Sequence, residues 1–231
     1  MTHPTLRVLN VSLLHTHGGT PQVCYDYTRA LRSQGLDVTI LTLPDDPFIQ
    51  RHCAAGAVVH ATRLLSFCGA YNPIAPFYVR GLIRRVKPDI IIAHDGRSVR
   101  FFCTHNQTVP VVDVNHGRGK NPALLTQGSF VLNRAEVMRT QEYVGSRGHV
   151  YHIPNMIELA GDATCPPRPA WRSPPVIGGL GRLVREKAFD TLIDAALLLK
   201  QRGVAFRVII GGDGPERPAL QQRIAQHGLQ D

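Results

Sequence analysis

No C-x-x-C pair occurs in the chain, and its five cysteines, at positions 24, 53, 68, 103 and 165, are odd in number. Neither a disulfide framework nor a cysteine-based zinc site is therefore suggested. No apolar run approaches the roughly 18–20 residues that cross a bilayer, and the segment from Met1 to Arg7 lacks the basic-then-apolar layout of a secretory signal. No two aspartates have the D-x-D spacing, since Asp45 and Asp46 are adjacent. The G-x-G-x-x-G fingerprint is missing too: Gly179 and Gly181 are followed by Val184 where a third glycine would stand, so a dinucleotide-dependent oxidoreductase fails on its residues. These absences predict reduced thiols and a cytoplasmic location.

What is present suits an ordinary packed protein. Of 231 residues, 43% are hydrophobic and 19% charged, a balance that fills a core and argues against intrinsic disorder. The net charge of +9 is unevenly placed: residues 1–155 hold 16 Lys/Arg against 9 Asp/Glu, and the remainder 10 against 8. Such a surplus favours anionic partners without bearing on fold.

Along the chain, the apolar run 6–14 gives way to a glycine-bearing loop and then to an amphipathic stretch, 21–34, closed by Gly35. This predicts strand, loop and helix, with Thr20 as the cap and Pro21 in the first helical position, where a missing N–H costs nothing. The alternation continues with strands 37–43 and 57–60, a helix within 74–86 stopped before Pro88, and strands 89–93, 109–114, 129–132 and 150–153. Strands alternating with helices predict an α/β protein with a parallel sheet covered on both faces. Residues 155–175 contain five prolines and read as a linker. The pattern then restarts: strand 176–178, a glycine loop through Gly181, helix 188–202, strand 206–210, the turn 211–215 and helix 216–227. The predicted organisation is one Rossmann-like domain over 1–155, a linker over 156–175, and over 176–231 the first half of a second Rossmann-like domain facing the first across a cleft.

One helix carries an alternative. Helical projection within 74–87 gathers Arg80, Arg84 and Lys87 beside an apolar face of Val79, Leu82, Ile83 and Val86. A domain helix buries that face against a sheet; a membrane-surface helix would rest it on anionic lipid, giving peripheral contact at the inner face of a membrane.

The segment with most chemistry is 178–190. A glycine turn delivers Arg182 and, five residues later, Lys187 to the start of a helix. Two cations at a helix N-terminus suit a diphosphate: backbone N–H groups and the helix dipole favour the anion, arginine bonds it at two points, and lysine adds a point charge. Solvated charges on a plain helix-start loop are the alternative.

The Gly-Arg pair, the lysine five residues on and Asp190 three further resemble the donor-domain signature of retaining glycosyltransferases with the GT-B fold, family 4 type. Ala188 stands where that family usually has glycine. Further matches follow in order: Gly18-Gly19 after the first strand, His116-Gly117 after a later one, Ile153-Pro154-Asn155 before the linker, and the run Gly212-Asp213-Gly214-Pro215-Glu216. The resemblance implies a nucleotide-sugar donor, a glycan or lipid-linked acceptor, and a place in cell-surface polysaccharide or glycolipid synthesis, with no nucleic-acid partner, no cofactor and no metal. It implies that Arg182 and Lys187 hold the diphosphate, that Gly18 and Gly19 let the backbone approach the donor sugar, and that His116 is the catalytic residue against the transferred sugar or acceptor. His94, Gly212 and Asp213 are secondary candidates, the last two also explicable as a strand-ending turn. The family's E-x7-E signature, expected downstream of the Gly212–Pro215 run, has no counterpart in the 16 residues that follow Pro215. The expectation from this is a chain truncated within its donor domain, without transfer activity by itself and weakly stable in its final quarter. A catalytically inactive remnant or partner subunit is the alternative reading.

Overall fold

Valine, isoleucine and leucine crowd the runs near residues 8, 40 and 91, and in the computed structural model these runs are strands. The structure describes residues 5–14, 19–65, 72–106, 108–116, 126–157 and 174–230. Gly18 and most of the expected linker lie outside the described residues. The chain divides into two compact units, 1–159 and 160–231.

In the first unit β1 (Arg7–Val11), β2 (Asp37–Thr42), β3 (Val58–Ala61), β4 (Ile90–Ala93), β5 (Val111–Asn115), β6 (Gly128–Val131) and β7 (His149–His152) form one sheet in the order β3-β2-β1-β4-β5-β6-β7. Every neighbouring pair is parallel, with Val8 of β1 beside Val38 on one side and Ile90 on the other. Successive side chains of a strand leave opposite faces. Leu9, Leu41 and Ile91 therefore join one core with α3 (Ala75–Val86) and α4 (Gly96–His105), while Val8, Ile40 and Ile92 join another with Val23 and Tyr27 of α1 (Gly19–Ser33). Burial on both faces is why these strands read as unbroken apolar runs.

Several boundaries differ from the sequence expectation for identifiable reasons. β1 stops at Val11 because its neighbour β4 ends at Ala93, and the Leu13 N–H is taken by the Asp95 carboxylate at 2.8 Å in place of a strand carbonyl. β5 starts at Val111 because Asn106 accepts from the N–H groups of Thr108 and Val109, both at 3.1 Å, and holds them in a turn. α1 begins at Gly19, so Thr20 is helical and not the cap, and Pro21 falls within a first turn whose N–H groups have no helical acceptor in any case. α2 (Ile49–Ala54), α4 and α5 (Glu136–Val144) were not anticipated. The signal for α4 was present: Asp95 caps it, accepting from the Arg97 and Ser98 N–H groups at 3.0 and 2.9 Å, and Val99 and Phe102, three apart, are buried.

α3 ends at Val86 with Lys87 in the left-handed region (φ 49), as the proline that follows disfavours continuing the helix. Val79 and Leu82 lie in the core, Ile83 and Val86 pack against it, and Arg80, Arg84 and Lys87 are exposed. The apolar face that a lipid-bound helix needs is occupied by the sheet.

In the second unit β8 (Val176–Leu180) pairs in parallel with β9 (Arg207–Gly211). α6 (Phe189–Gln201) and α7 (Arg217–Gln226) share a core of Leu183, Phe189, Ile193 and Leu220, and the Arg223 guanidinium forks onto the Asp194 carboxylate at 2.8 and 2.6 Å to tie the helices together. On β8 and β9, Leu180 and Ile209 are 91% and 54% exposed. A 3-10 turn, Arg185–Lys187, leads into α6 through Ala188, whose φ of 51 is left-handed. That conformation explains why glycine is usual at this position in the resembling family: a Cβ there is strained.

Two stability changes are expected. Asp95→Ala removes the cap of α4 and leaves the buried Leu13 N–H unpaired, lowering stability in urea unfolding by about 2–3 kcal/mol. Ala188→Gly relieves left-handed strain and stabilises α6 by about 0.5–1 kcal/mol, read as slower amide exchange across residues 189–201.

Candidate functional site

The order of the first sheet reverses between β1 and β4, and open parallel sheets bind ligands beyond the carboxyl ends of the strands at such a point. A cavity of about 190 Å³ lies there, lined among others by Thr20, His94, Asp95, Asp113, Asn115 and His116. It is smaller than the roughly 300–1,000 Å³ of pockets for drug-sized molecules, and suits a single ring.

His94 follows β4 and is 1% exposed. Its Nε2 lies 2.8 Å from Oδ1 of Asn10 on β1, and the Tyr27 ring meets it edge-on at 5.1 Å. Burial holds the His94 imidazole well below its ordinary pKa, and the His116 and His52 rings act in the same direction. His116 follows β5, half-buried, with its ring centre 6.0 Å from that of His94. Burial lowers its pKa, against the opposing pull of the Asp95 carboxylate. His94 Nδ1 and His116 Nε2 are both buried without a hydrogen-bond partner among the described residues. Asp113 on β5 is 2% exposed and accepts from Thr126 Oγ1 at 3.1 Å, yet burial pushes its carboxyl up to about 6. Gly19 opens α1 beside the cavity-lining Thr20; a Cβ there would meet nothing within 4 Å, so no described neighbour demands glycine.

In the second unit the loop after β8 is laced to the loop after β9. Gly181 N–H donates to the Gly211 carbonyl at 3.0 Å, Leu183 N–H to that of Asp213 at 2.9 Å, and Glu216 N–H to that of Leu183 at 3.1 Å. This approach is close enough that a Cβ on Gly212 (φ 143) would collide with the Gly181 carbonyl, and one on Gly214 (φ 157) with the Leu183 carbonyl. The packing of one loop on the other alone accounts for both glycines. The Asp213 carboxylate accepts from the Gly214 N–H at 2.9 Å and faces Arg217 at 3.5 Å, so it serves its own turn. Arg182 and Lys187 are exposed, and neither forms an ion pair or side-chain hydrogen bond among the described residues. Lys187 is the last residue of the 3-10 turn that precedes α6 and Arg182 lies three residues before that turn, with exposed Asp190 in the first turn of the helix.

Residue reading missed Asn10, Asp95 and Asp113. Each carried a signal, being a polar residue inside or directly after an apolar strand run. Among the described residues no three histidine, cysteine or carboxylate side chains converge on a metal position, and no helix is long and apolar enough to cross a membrane.

The strand-loop-helix organisation of both units corresponds to a known class. The family described as Glycosyltransferase Family 4 matches residues 17–160, more than half of the chain, and the family described as Glycosyl transferases group 1 matches residues 168–231. The chain belongs to Glycosyltransferase Family 4, and its fold is of the GT-B type. Two curated relatives from Streptomyces kanamyceticus are similar over 57 residues, a quarter of this chain and 15% of each relative: alpha-D-kanosaminyltransferase at 40% identity and 2-deoxystreptamine glucosyltransferase at 37%. Among solved structures, a glycosyltransferase from Rickettsia africae superposes with a TM-score of 0.75 at 15% identity, covering 99% of this chain and 67% of that one. HepE of Anabaena, in complex with UDP and glucose, gives 0.68 at 15% identity, covering 98% and 67%. The chain thus spans about two thirds of the length of these neighbours.

The Asp113 carboxyl supplies a pH test. Its folded pKa of about 6 exceeds the ordinary 3.8, so between these values the folded chain keeps a proton that the unfolded chain releases. The stabilisation is fully present below 3.8 and is lost as pH rises through about 6, an effect of about 3 kcal/mol at most. Asp113→Asn should remove this component, seen as a more positive slope of unfolding free energy against pH over that window.

Proposed function

We propose that the protein transfers a sugar, with retention of configuration, from a nucleotide-sugar donor to a glycan or lipid-linked acceptor in cell-surface polysaccharide or glycolipid synthesis. The observation that carries this reading is the pair Arg182 and Lys187, two exposed cations without ion-pair or side-chain hydrogen-bond partners among the described residues, in the loop and 3-10 turn that lead into α6. When the bond from the anomeric carbon to the diphosphate oxygen breaks, the departing diphosphate keeps the electron pair and gains charge. Fixed cations and the N-terminal dipole of α6 stabilise that charge more in the transition state than before it. The lacing of the two loops holds Arg182 in place, since its neighbours Gly181 and Leu183 are both bonded to the β9 loop.

In the first unit, the cavity at the β1/β4 reversal is assigned to a sugar ring, with His116 as the catalytic residue against it and with Gly18 and Gly19 assigned to let the backbone approach the donor sugar. Gly212 and Asp213 have a supporting role in this reading, shaping the loop that carries the cations. The match to HepE, a protein in complex with UDP and glucose, supports a nucleotide-sugar donor. The curated relatives' names, a kanosaminyltransferase and a glucosyltransferase, support sugar transfer.

Calorimetric titration and turnover assays of the protein in whatever full-length form it has, with a panel of nucleotide sugars, test the assignment. Arg182→Ala and Lys187→Ala should each weaken donor binding by roughly ten- to a few hundredfold, as a charge-assisted hydrogen bond contributes about 1.5–3 kcal/mol. His116→Ala should reduce turnover with little change in melting temperature. Unchanged donor affinity in both cation variants would remove them from the site.

A further inference from the structure

The cavity in the first unit contains one group whose chemistry is set by a residue outside it. Asn10 lies on β1 and is completely buried. Its Nδ2 is 2.9 Å from the Cys24 carbonyl and 3.1 Å from Thr28 Oγ1, and that hydroxyl donates to the same carbonyl at 3.0 Å. A carbonyl can only accept, and the single hydroxyl proton of Thr28 is already spent on it, so both contacts require the amide nitrogen of Asn10 on that side. Its Oδ1, an acceptor only, therefore faces His94 Nε2 at 2.8 Å. That ring nitrogen must bear the proton.

We infer that Asn10 is a positioning residue that locks His94 in its Nε2–H tautomer, so that the bare Nδ1 accepts a hydrogen bond from a hydroxyl of the ligand in the cavity. The inference rests on the reading of this cavity as a sugar site. Three independent observations support it. His94 Nδ1 is buried with no partner among the described residues, a state that costs free energy unless something else fills it. His94 lines the cavity. Burial keeps the ring neutral, which leaves the Nδ1 lone pair open as an acceptor. The Tyr27 ring, edge-on at 5.1 Å, restricts rotation of the imidazole, so the acceptor keeps its direction. A sugar hydroxyl is a donor that fits such a site. A fluorine in its place has similar size and no proton to give.

Nitrogen-15 NMR of the histidine side chains tests the tautomer without reference to activity. In the protein at neutral pH the His94 signals should show a protonated Nε2 and an unprotonated Nδ1, and Asn10→Leu should convert them to a tautomer mixture. Titration with glucose and galactose should move the Nδ1 signal, and the deoxyfluoro analogue lacking the bonded hydroxyl should bind roughly tenfold more weakly. If Asn10→Leu does not fold, the pair His94→Asn and His94→Gln serves instead. The asparagine amide places an acceptor where Nδ1 was and should keep the hydroxyl-to-fluorine discrimination; glutamine reaches only toward the Nε2 position and should lose it. An Nδ1–H tautomer, an imidazolium at neutral pH, or a Nδ1 signal indifferent to every sugar overturns the inference. Failure of nucleotide-sugar binding alongside a sugar-responsive Nδ1 would count against the donor reading of Arg182 and Lys187, while this inference would stand.

Discussion

The Asp95 carboxylate accepts hydrogen bonds from two elements at once, and the shape of the first unit's cavity depends on it. One oxygen accepts the N–H groups of Arg97 and Ser98 at the start of α4; the other accepts the N–H of Leu13, just past β1, at 2.8 Å and the Ser98 hydroxyl at 2.6 Å. The chain leaving β1 and the helix following β4 are thereby fixed at the point where strand order reverses. A crevice exists at that point in any such sheet. What Asp95 adds is the exact end of each element, because the N–H that would otherwise seek a strand acceptor is bonded to a side chain. Its own side chain then lines the cavity whose walls it has placed.

Around that anchor the sheet tolerates polar groups that a parallel core ordinarily excludes. Asn10, His94 and Asp113 are buried at 2% exposure or less, amid strands whose other inward residues are aliphatic. Asn10 is satisfied through Cys24, Thr28 and His94, whereas His94 Nδ1 and His116 Nε2 are not. Partly satisfied buried groups are costly, and in folded proteins they concentrate where something binds. His94 and His116, which carry those unsatisfied atoms, both line the cavity, whereas the partners of Asn10 Nδ2 lie on α1.

The sequence conveyed this arrangement unevenly. The strands and four helices, α1, α3, α6 and α7, were legible because branched apolar runs and glycine or proline stops mark them, and the positions of His94 and His116 after strands were legible for the same reason. α4 was passed over although Asp95 is a good cap, since Phe101 beside the Val99–Phe102 pair blurs the helical period of a short segment. The capping role given to Thr20 was wrong because Pro21 is as acceptable in the first turn as at its first position. Asn10 and Asp113 were marked only as polar residues inside apolar runs; such a residue has no local signature of its partner, and their partners lie 13 to 84 positions away.

In the second unit two glycines serve the backbone, while the two cations that the sequence singles out form no ion pair or side-chain hydrogen bond among the described residues. Gly212 and Gly214 are demanded by the approach of one loop to another, and Asp213 is bonded within its own turn. Ala188 shows how little of this depends on the family's preferred glycine, since the left-handed turn into α6 forms with a Cβ present. In contrast, Arg182 and Lys187 have no described partner, although Glu186 and Asp190 lie within a few residues. Backbone hydrogen bonds of Gly181, Leu183 and Glu216 lace the loop to its neighbour, and neither cation pairs among the described residues. In the proposed donor reading, no internal ion pair among the described residues would have to break before an anion binds, and the dipole of α6 would add to its attraction.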